Sequence, residues 1–299
     1  MTQPMFESYL PGLQLVSRGK VRDMYDLKYA GNLMIATDRI SAFDEVLPDP
    51  IPDKGVILNQ MSSFWLDYLR DIVPNHLITA DVNRYPKVCA SFKEQLIGRS
   101  MLVRKAAPLP VECIVRGCIS GSAWEAYLEN RVVCGHELPV GLQESEKLSE
   151  PIFMPSTKAE AGKHDVNISI KQMQKIVGVK NTDKVADICL GLFEKATRHA
   201  LHCGIIIADT KFELGWYEGE LILIDEVLTP DSSRFWSKAT YQIGRSQNSF
   251  DKQPLRNYLK SIGWKGDSPA PNLPVEIIQQ TRARYLEALE RLTGHGLVD

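Results

Sequence analysis

Apolar and polar positions follow two different periods along this chain. Alternation on both sides of Gly19 predicts two short β-strands, and the run at residues 33–37 predicts a third. Apolar residues spaced three and four apart predict amphipathic helices over residues 56–73, 182–203 and 274–292. The sequence before about residue 110 is therefore β-rich, whereas the sequence after it mixes strands and helices.

Two of these helices carry an apolar stripe that predicts burial. In the first, the stripe is Leu58, Met61, Trp65, Leu66, Leu69 and Ile72. In the second, the stripe is Val185, Ile188, Cys189, Leu192, Phe193 and Ala196. Gly204 follows this second helix and suits its C-terminal cap.

The segment between the two helical regions shows neither period. We expect residues 129–165 to be mostly irregular and to end in a mobile loop, in which His164 is more simply a solvated side chain. Ser169 and Gln172 then form the S-x-x-Q pattern of a capping box, which predicts a helix start.

The most informative stretch is a charged hairpin in the second half of the chain. Apolar runs at residues 205–208 and 221–224 flank a glycine-containing turn, which predicts two paired strands. Alternate side chains of an extended strand share a face, so Asp209, Lys211 and Glu213 point the same way.

The turn of this hairpin decides which side chains face each other. A three-residue loop at residues 218–220 places Glu213 directly opposite Asp225, with Cβ atoms about 4.5–5.5 Å apart. Two facing carboxylates cost stability unless a cation lies between them, and Mg²⁺ commonly takes one or two protein carboxylates together with substrate phosphates. The hairpin therefore predicts a magnesium site. The alternative is a surface hairpin whose charges all face water.

Two other polar stretches adjoin predicted strands in the first part of the chain. The turn that contains Gly19 and Lys20 could lay backbone N–H groups and an ammonium group over phosphates, or it could be a plain hairpin turn. Asp38, Arg39 and Ser41 come directly after the third strand, where ligand contacts are common. A loop with local side-chain caps is the alternative there.

A further polar stretch opens a predicted helix near residue 122. The strand at residues 111–116 carries Glu112 and Arg116 on one face, and a Ser-Gly-Ser turn follows it. Such a turn offers N–H groups and hydroxyls to an anion, and Arg116 could complete the site. The alternative is simple N-capping by Ser122.

Composition restricts the class of protein. The chain has 299 residues, 44% hydrophobic and 24% charged, enough for two lobes around a cleft. A formal charge of −2 supplies no broad positive field for nucleic acid or an anionic membrane. No apolar run approaches the ~20 residues that span a bilayer, and the first residues lack a signal-peptide pattern. Six scattered cysteines without a C-x-x-C pair favour a reduced, cytoplasmic protein without structural zinc.

Six stretches together resemble one family, in order along residues 13–260. They are GKVRD at 19–23, ATDRISAFD at 36–44, PDKG at 52–55, VECIVRGCISGS at 111–122, ADTKFELG at 208–215 and LIDEVLTPDSSR at 223–234. The chain resembles the SAICAR synthetases of purine biosynthesis. The tail from residue 264 is similar to the extension of longer members, so we expect it to carry less functional information.

The resemblance implies an α+β fold with two lobes and ATP in the cleft between them. Its N-terminal antiparallel β-rich lobe, here residues 1–108, would be similar to that of protein kinases. Residues 109–299 would form a larger α/β lobe with the metal and CAIR sites and a C-terminal helical extension. Whether the protein is a monomer or a homo-oligomer is left open.

The implied reaction joins the carboxylate of the ribonucleotide CAIR to the amine of L-aspartate, with ATP converted to ADP and phosphate. A carboxylate does not form an amide directly because oxide is no leaving group. Transfer of the γ-phosphoryl group makes an acyl phosphate that the amine can attack. Phosphoryl transfer needs positioning and charge neutralisation more than a nucleophilic side chain, and the chain shows no obvious Ser-His-Asp set.

The resemblance also implies a role for each matching residue. Glu213 and Asp225 would hold Mg²⁺. The residues implied for ATP are Gly19, Lys20, Arg22, Lys105 and Glu112. The residues implied for the phosphate and ribose of CAIR are Arg116, Ser120, Gly121, Ser122 and Arg234.

The remaining implied residues lie nearest the reacting groups. Asp209 and Lys211 would contact the CAIR carboxylate or order the metal shell, and with Asp38 they form the implied catalytic set. Asp38, Arg39 and Ser41 would lie near substrate. No residue is implied as an obligatory general base.

Two other functions fit part of the pattern. A small-molecule kinase on a related scaffold would share the metal carboxylates, but it would usually need a catalytic aspartate in a His-Arg-Asp loop, which this chain lacks. A nucleotide-binding regulatory protein would not need Lys20, Glu213 and Asp225 together.

Overall fold

The computed structural model describes residues 3–43, 45–158 and 166–297. Asp44 and the predicted loop histidine His164 lie outside these ranges. The strands are β1 Gln14–Arg18, β2 Arg22–Asp26, β3 Asn32–Ala36, β4 Ser41–Ala42, β5 Glu45–Val46, β6 Leu77–Thr79, β7 Ser100–Val103, β8 Ala107–Pro108, β9 Val111–Cys118, β10 Val132–Val133, β11 His136–Glu137, β12 Lys147–Thr157, β13 Ile205–Tyr217, β14 Glu220–Ile224 and β15 Ser233–Ser237. The α-helices are α1 Lys54–Tyr68, α2 Lys93–Leu96, α3 Ser122–Asn130, α4 Ile170–Val177, α5 Val179–His202, α6 Gln253–Ser261 and α7 Val275–Thr293.

An antiparallel sheet of five strands occupies the first third of the chain, in the order β1-β2-β3-β7-β6. The three strands predicted around Gly19 and residues 33–37 are thereby confirmed. The sheet buries one apolar group that includes Leu33, Ile35 and Leu102. Met34 and Met101 on its other face belong to a second apolar core, so the central strands are buried on both sides.

A second antiparallel sheet is built around β13. Its path is β12-β9-β13-β14, and β8 and β15 also pair with β13. The chain passes from one sheet to the other between Val103 and Ala107, close to the predicted domain boundary at 108. The largest apolar core nevertheless contains residues from both sides, among them Met34 and Phe212. The division into two domains stays a prediction.

The long helix α5 packs against β13 and β9. Its predicted stripe is confirmed, because five of its six residues are buried and Ile188 packs partly buried against the same core. Gly204 follows it with φ of +75°, a left-handed conformation that glycine adopts without a Cβ clash. The capping box is also confirmed: Gln172 N–H donates to the Ser169 hydroxyl, and Ser169 N–H donates to the Gln172 side chain.

The helix predicted over residues 56–73 is shifted. It begins at Lys54, in the turn that follows Asp53, and ends at Tyr68. Most of its predicted stripe is buried, but Ile72 lies beyond the last turn and is 39% exposed. The burial prediction for Ile72 is therefore wrong, because the helical period on which it rested stops before that residue.

Residues 129–165 are more ordered than predicted. The short strands β10 and β11 pair with each other, and the strand β12 runs for 11 residues along β9. The expectation of a mostly irregular segment is wrong for the described part of this range. Pro151 and Pro155 hide the strand in the sequence, since proline is usual only on edge strands, and β12 is the edge of its sheet.

The C-terminal part contains two helices. The first of them, α6, begins at Gln253, with Pro254 in its first turn. The predicted last helix is confirmed as α7, which packs against α1 and α6 and is capped by Gly294. Its charges are not all solvated: Arg282 donates to Asp53 at 2.6 Å. No helix in the described ranges is long and apolar enough to cross a membrane.

Candidate active site

Strand β13 places the central charged residues. It is held on both edges, by β9 and β15 near its start and by β14 and β8 near its end. Asp209 and Glu213 are each only 8% exposed, while Phe212 is fully buried on the opposite face. The alternation predicted for this strand is confirmed. The alternative of a hairpin whose charges all face water is wrong.

The hairpin turn has two residues, not three. Tyr217 pairs with Glu220, and the turn residues Glu218 and Gly219 have φ of +50° and +84°. Two left-handed residues are typical of a type I′ turn, which matches the twist of a hairpin. The shorter turn moves the register by one residue, so Glu213 faces Ile224 and the predicted facing pair with Asp225 is wrong.

Asp225 instead lies just past β14, where φ of +63° turns its side chain away from the ladder. Arg22 donates to Asp225 at 2.6 Å and pairs with Glu226 at 2.9 Å. Burial, together with the charges of Glu213 and Glu226, raises the pKa of Asp225 to about 7 despite Arg22. We call Glu213, Asp225 and Glu226 the acidic cluster; it carries more negative charge than Arg22 balances.

Lys211 lies between Glu213 and Glu112 and pairs with both, at 3.5 Å and 2.6 Å. Burial lowers its pKa, but the two carboxylates outweigh burial and hold the pKa above the ordinary value for lysine. The side chain is therefore an ammonium ion and not a base. Lys158, which sequence reasoning did not identify, donates a short hydrogen bond to Glu213. Nothing in the sequence pointed to it, because Pro151 and Pro155 conceal the strand that ends just before it.

A second charged group surrounds Asp209. Arg116 and Arg234 both donate to its Oδ2, at 2.7 Å and 2.8 Å. Arg116 also donates to the Ser120 carbonyl, and Arg234 donates to the Ser120 hydroxyl. Two guanidinium groups share one carboxylate, so this arginine pair carries a net positive charge. Four residues predicted from sequence are thereby brought together.

Gly121 allows this arrangement. Its φ is +55°, and a Cβ there would lie 2.6 Å from Nη2 of Arg234. Gly121 is the N-cap of α3 and makes no side-chain cap, so the N-capping alternative for Ser122 is wrong. The first N–H groups of a helix are not used inside it. A cavity of about 410 Å³ opens here, lined by Ser120, Gly121 and Arg234 among others.

Arg39 supports the glycine turn between β1 and β2 through hydrogen bonds. Arg39 donates to the carbonyls of Gly19 and Lys20, at 2.9 Å and 3.0 Å, and pairs with Asp23 at 2.7 Å. Arg39 is only 3% exposed, so it supports the turn instead of facing a cleft. Its predicted contact with substrate stays a prediction.

Asp38 and Ser41 also have partners inside the protein. The Asp38 carboxylate accepts from Gly55 N–H and Met5 N–H, both at 2.7 Å, and pairs with Arg99. It is fully buried, which suits a structural role. The Ser41 carbonyl accepts from Lys252. Their predicted roles near substrate remain predictions.

Lys105 and Glu112, two of the residues implied for ATP, have separate partners. Lys105, which is 42% exposed, pairs with Asp26 of β2 at 2.5 Å. Glu112 pairs with Lys211 in the second sheet. The described contacts therefore do not join Lys105 to Glu112.

The acidic cluster suits a hard cation. Its donors are carboxylate oxygens, which Mg²⁺ prefers, and a cation would relieve the repulsion that raises the pKa of Asp225. Within the described ranges no group of three or more His, Cys, Asp or Glu side chains is placed to hold a metal. Mg²⁺ is often bound by one or two protein carboxylates together with substrate phosphates.

Comparison with known proteins agrees with this chemistry. The sequence profile described as SAICAR synthetase matches residues 15–271. The phosphoribosylaminoimidazole-succinocarboxamide synthase of Desulfotalea psychrophila is 58% identical over 296 residues, which cover 98% of this chain and 100% of the relative. That of Geobacter sulfurreducens is 54% identical over 296 residues, covering 99% and 100%.

Solved structures give the same result. The SAICAR synthase from Saccharomyces cerevisiae complexed with SAICAR superposes with a TM-score of 0.90 at 44% identity, covering 99% of this chain and 100% of that one. A SAICAR synthetase in complex with ADP shares the fold, with a TM-score of 0.69 at 24% identity over 95% of this chain and 99% of that one. The α+β fold and the resemblance read from the sequence are confirmed. The chain belongs to the SAICAR synthetase family.

Proposed function

We propose that this enzyme ligates CAIR with L-aspartate to give SAICAR, ADP and phosphate, in the synthesis of purines. The assignment of roles to these residues rests on one observation. The single strand β13 presents Asp209, Lys211 and Glu213 on one face, between the positive arginine pair at one end and the acidic cluster at the other. A nucleotide substrate with a phosphate and a carboxylate matches that order of charges.

The arginine pair would bind the phosphate of CAIR. Arg116 and Arg234 present planar guanidinium groups, which suit phosphate oxygens, and Ser120, Gly121 and Ser122 add a hydroxyl and helix N-terminal N–H groups. Asp209 holds both arginines at 2.7 Å and 2.8 Å, so they are oriented before substrate arrives. The net positive charge favours an anion there.

The acidic cluster would serve ATP. Glu213 and Asp225 would hold Mg²⁺, which when bound neutralises charge on the nucleotide phosphates. Arg22 orients Asp225 and Glu226, and the turn that contains Gly19 and Lys20 would lie over the phosphates. The complex with ADP formed by a protein of the same fold supports nucleotide use. Lys105 and Glu112 are proposed for the adenosine.

The chemistry follows from these positions. An oxygen of the CAIR carboxylate attacks the γ-phosphorus of ATP, the bond to the β-phosphate oxygen breaks, and ADP leaves. The neutral amine of aspartate then attacks the acyl carbon, phosphate leaves with the bonding electrons, and the nitrogen gives up one proton to solvent or phosphate and keeps the other as the amide N–H. Lys211 remains an ammonium ion and offsets charge on the carboxylate as phosphate is transferred. Asp38, Arg39 and Ser41 would position the surrounding backbone.

An assay of ADP release tests the assignment. Turnover that needs CAIR and aspartate together, with SAICAR detected by mass, is the expected result. Phosphate transfer to a hydroxyl compound without aspartate would instead identify a kinase. Nucleotide binding without any turnover would identify a regulatory protein.

A further inference from the structure

A buried network surrounds Asp231, in the loop between β14 and β15. The Tyr285 hydroxyl donates to Asp231 Oδ1 at 2.5 Å, Lys54 Nζ pairs with Oδ2 at 2.8 Å, and Lys252 Nζ lies 3.4 Å from Oδ1. Tyr285 and Lys54 are fully buried, and the Asp231 side chain is 3% exposed. We call these four residues the Asp231 network.

Opposite charges stabilise the Asp231 network. Burial alone would raise the pKa of Asp231, yet Lys252 and Lys54, helped by the hydrogen bond from Tyr285, hold the pKa below its ordinary value. The carboxylate is therefore ionised and its hydrogen bond from Tyr285 is charge-assisted, which is the stronger kind. Three distant segments meet on one side chain: the start of α1, the residue before α6, and the middle of α7.

The loop that carries Asp231 reaches both ends of the site. Thr229 connects its two halves, because its hydroxyl donates to Glu226 at 2.8 Å and accepts from Asp231 N–H at 3.2 Å. Ser232 accepts from Lys211 N–H at 2.9 Å, and Arg234 follows two residues later. Whatever holds Asp231 therefore holds the backbone on which Arg234 and Lys211 depend.

The C-terminal helix supplies that support. Arg282 donates to Asp53 and Tyr285 to Asp231, three residues apart and so on one face of α7. We infer that Tyr285 of the C-terminal extension is a positioning residue for CAIR binding, acting through Asp231 on the loop that ends at Arg234. This inference rests on the proposed function. It assigns to the extension a role in the site, where the sequence suggested little.

The substitution Tyr285→Phe tests this by removing only the hydroxyl. We expect the KM for CAIR to rise about tenfold, equivalent to ~1.4 kcal/mol, with the KM for ATP within about twofold of wild type. A purely structural role would lower stability without separating the two KM values. Tyr258→Phe is the matched control, because Tyr258 in α6 donates a 3.4 Å hydrogen bond to the Asn272 carbonyl, away from the site.

A second variant guards against misfolding of the first. Ser232→Ala removes the hydroxyl that accepts from Thr229 N–H at 3.1 Å in the same loop and leaves the bond from Thr229 to Glu226 in place, so it should give the same selective rise in the KM for CAIR. Unchanged KM values in both variants, or equal rises for CAIR and ATP, would overturn the inference. Wild-type protein that makes no SAICAR would reject the proposed function instead, and the two failures are therefore distinguishable.

Discussion

Two aspartates at the two ends of one loop, six residues apart, have opposite electrostatic surroundings. Asp225 shares the acidic cluster with Glu213 and Glu226, and its pKa is raised to about 7 by burial and by these carboxylates. Asp231 lies between two lysines and a tyrosine, and its pKa is lowered. The first site brings three carboxylates together, whereas the second surrounds a single carboxylate with two lysines and a tyrosine hydroxyl. Repulsion among carboxylates marks a place for a cation, and attraction to buried lysines marks a structural support.

Removing a charge from the acidic cluster should have the largest effect. Glu213→Gln or Asp225→Asn should abolish turnover, on the order of a thousandfold or more, because charge neutralisation is the main demand of phosphoryl transfer. Thermal unfolding should show that the fold is kept, since a like charge is removed. Glu220→Gln, at the exposed first residue of β14 in the same hairpin, serves as the control. A near-wild-type rate in either variant would reject the metal assignment.

At Asp231, by contrast, we expect a substitution to lower the stability of the fold. Asp231→Asn keeps the shape but leaves Lys54 and Lys252 buried without a counter-charge, so the free energy of unfolding should fall by about 3–5 kcal/mol. Urea unfolding measures this. Asp71→Asn, which breaks the surface pair with Lys195, should cost far less, because solvent screens an exposed ion pair. Equal losses of unfolding free energy in the two variants would show that the Asp231 network stabilises the fold no more than a surface ion pair does.

The arginine end of the loop can be disturbed without removing an arginine. Gly121→Ala places a methyl group against the guanidinium of Arg234, so the arginine must move, and it also adds the backbone strain of a side chain at positive φ, which its control shares. The KM for CAIR should rise about tenfold, ~1.4 kcal/mol. Gly135→Ala is the control, because it has φ of +87° and no atom within 4 Å of the added Cβ. Similar KM values for CAIR in both variants would contradict the close approach between residue 121 and the Arg234 guanidinium.

The smallest effect concerns acid stability. The pKa of Asp231 is lower in the folded protein than its ordinary value of 3.8, so below that pH the unfolded chain binds more protons and stability is lost as the pH falls. The wild type should therefore lose more unfolding free energy than Asp231→Asn between about pH 5 and pH 3. Urea titrations of both proteins compare the slopes, and parallel slopes would show that Asp231 is not held ionised by its partners.

Local features could be predicted from the sequence where the interacting residues are close together along the chain. The alternation of Asp209, Lys211 and Glu213 and the capping box at Ser169 depend on neighbours in sequence, and the structure confirms them. The hairpin register was missed by one residue, because a Glu-Gly step serves either a two-residue or a three-residue turn. Only the positive φ of both Glu218 and Gly219 decides between them.

The sequence by itself determined the family, the helices with a clear apolar stripe, and which residue types the site contains. Tertiary structure alone decided how those residues are charged and what holds them. Asp225 meets Arg22, whereas Asp231 meets Lys54, Lys252 and Tyr285, all from distant parts of the chain. The physical reason is that a pKa depends on burial and on nearby charges in space, and neither can be read from positions along a strand.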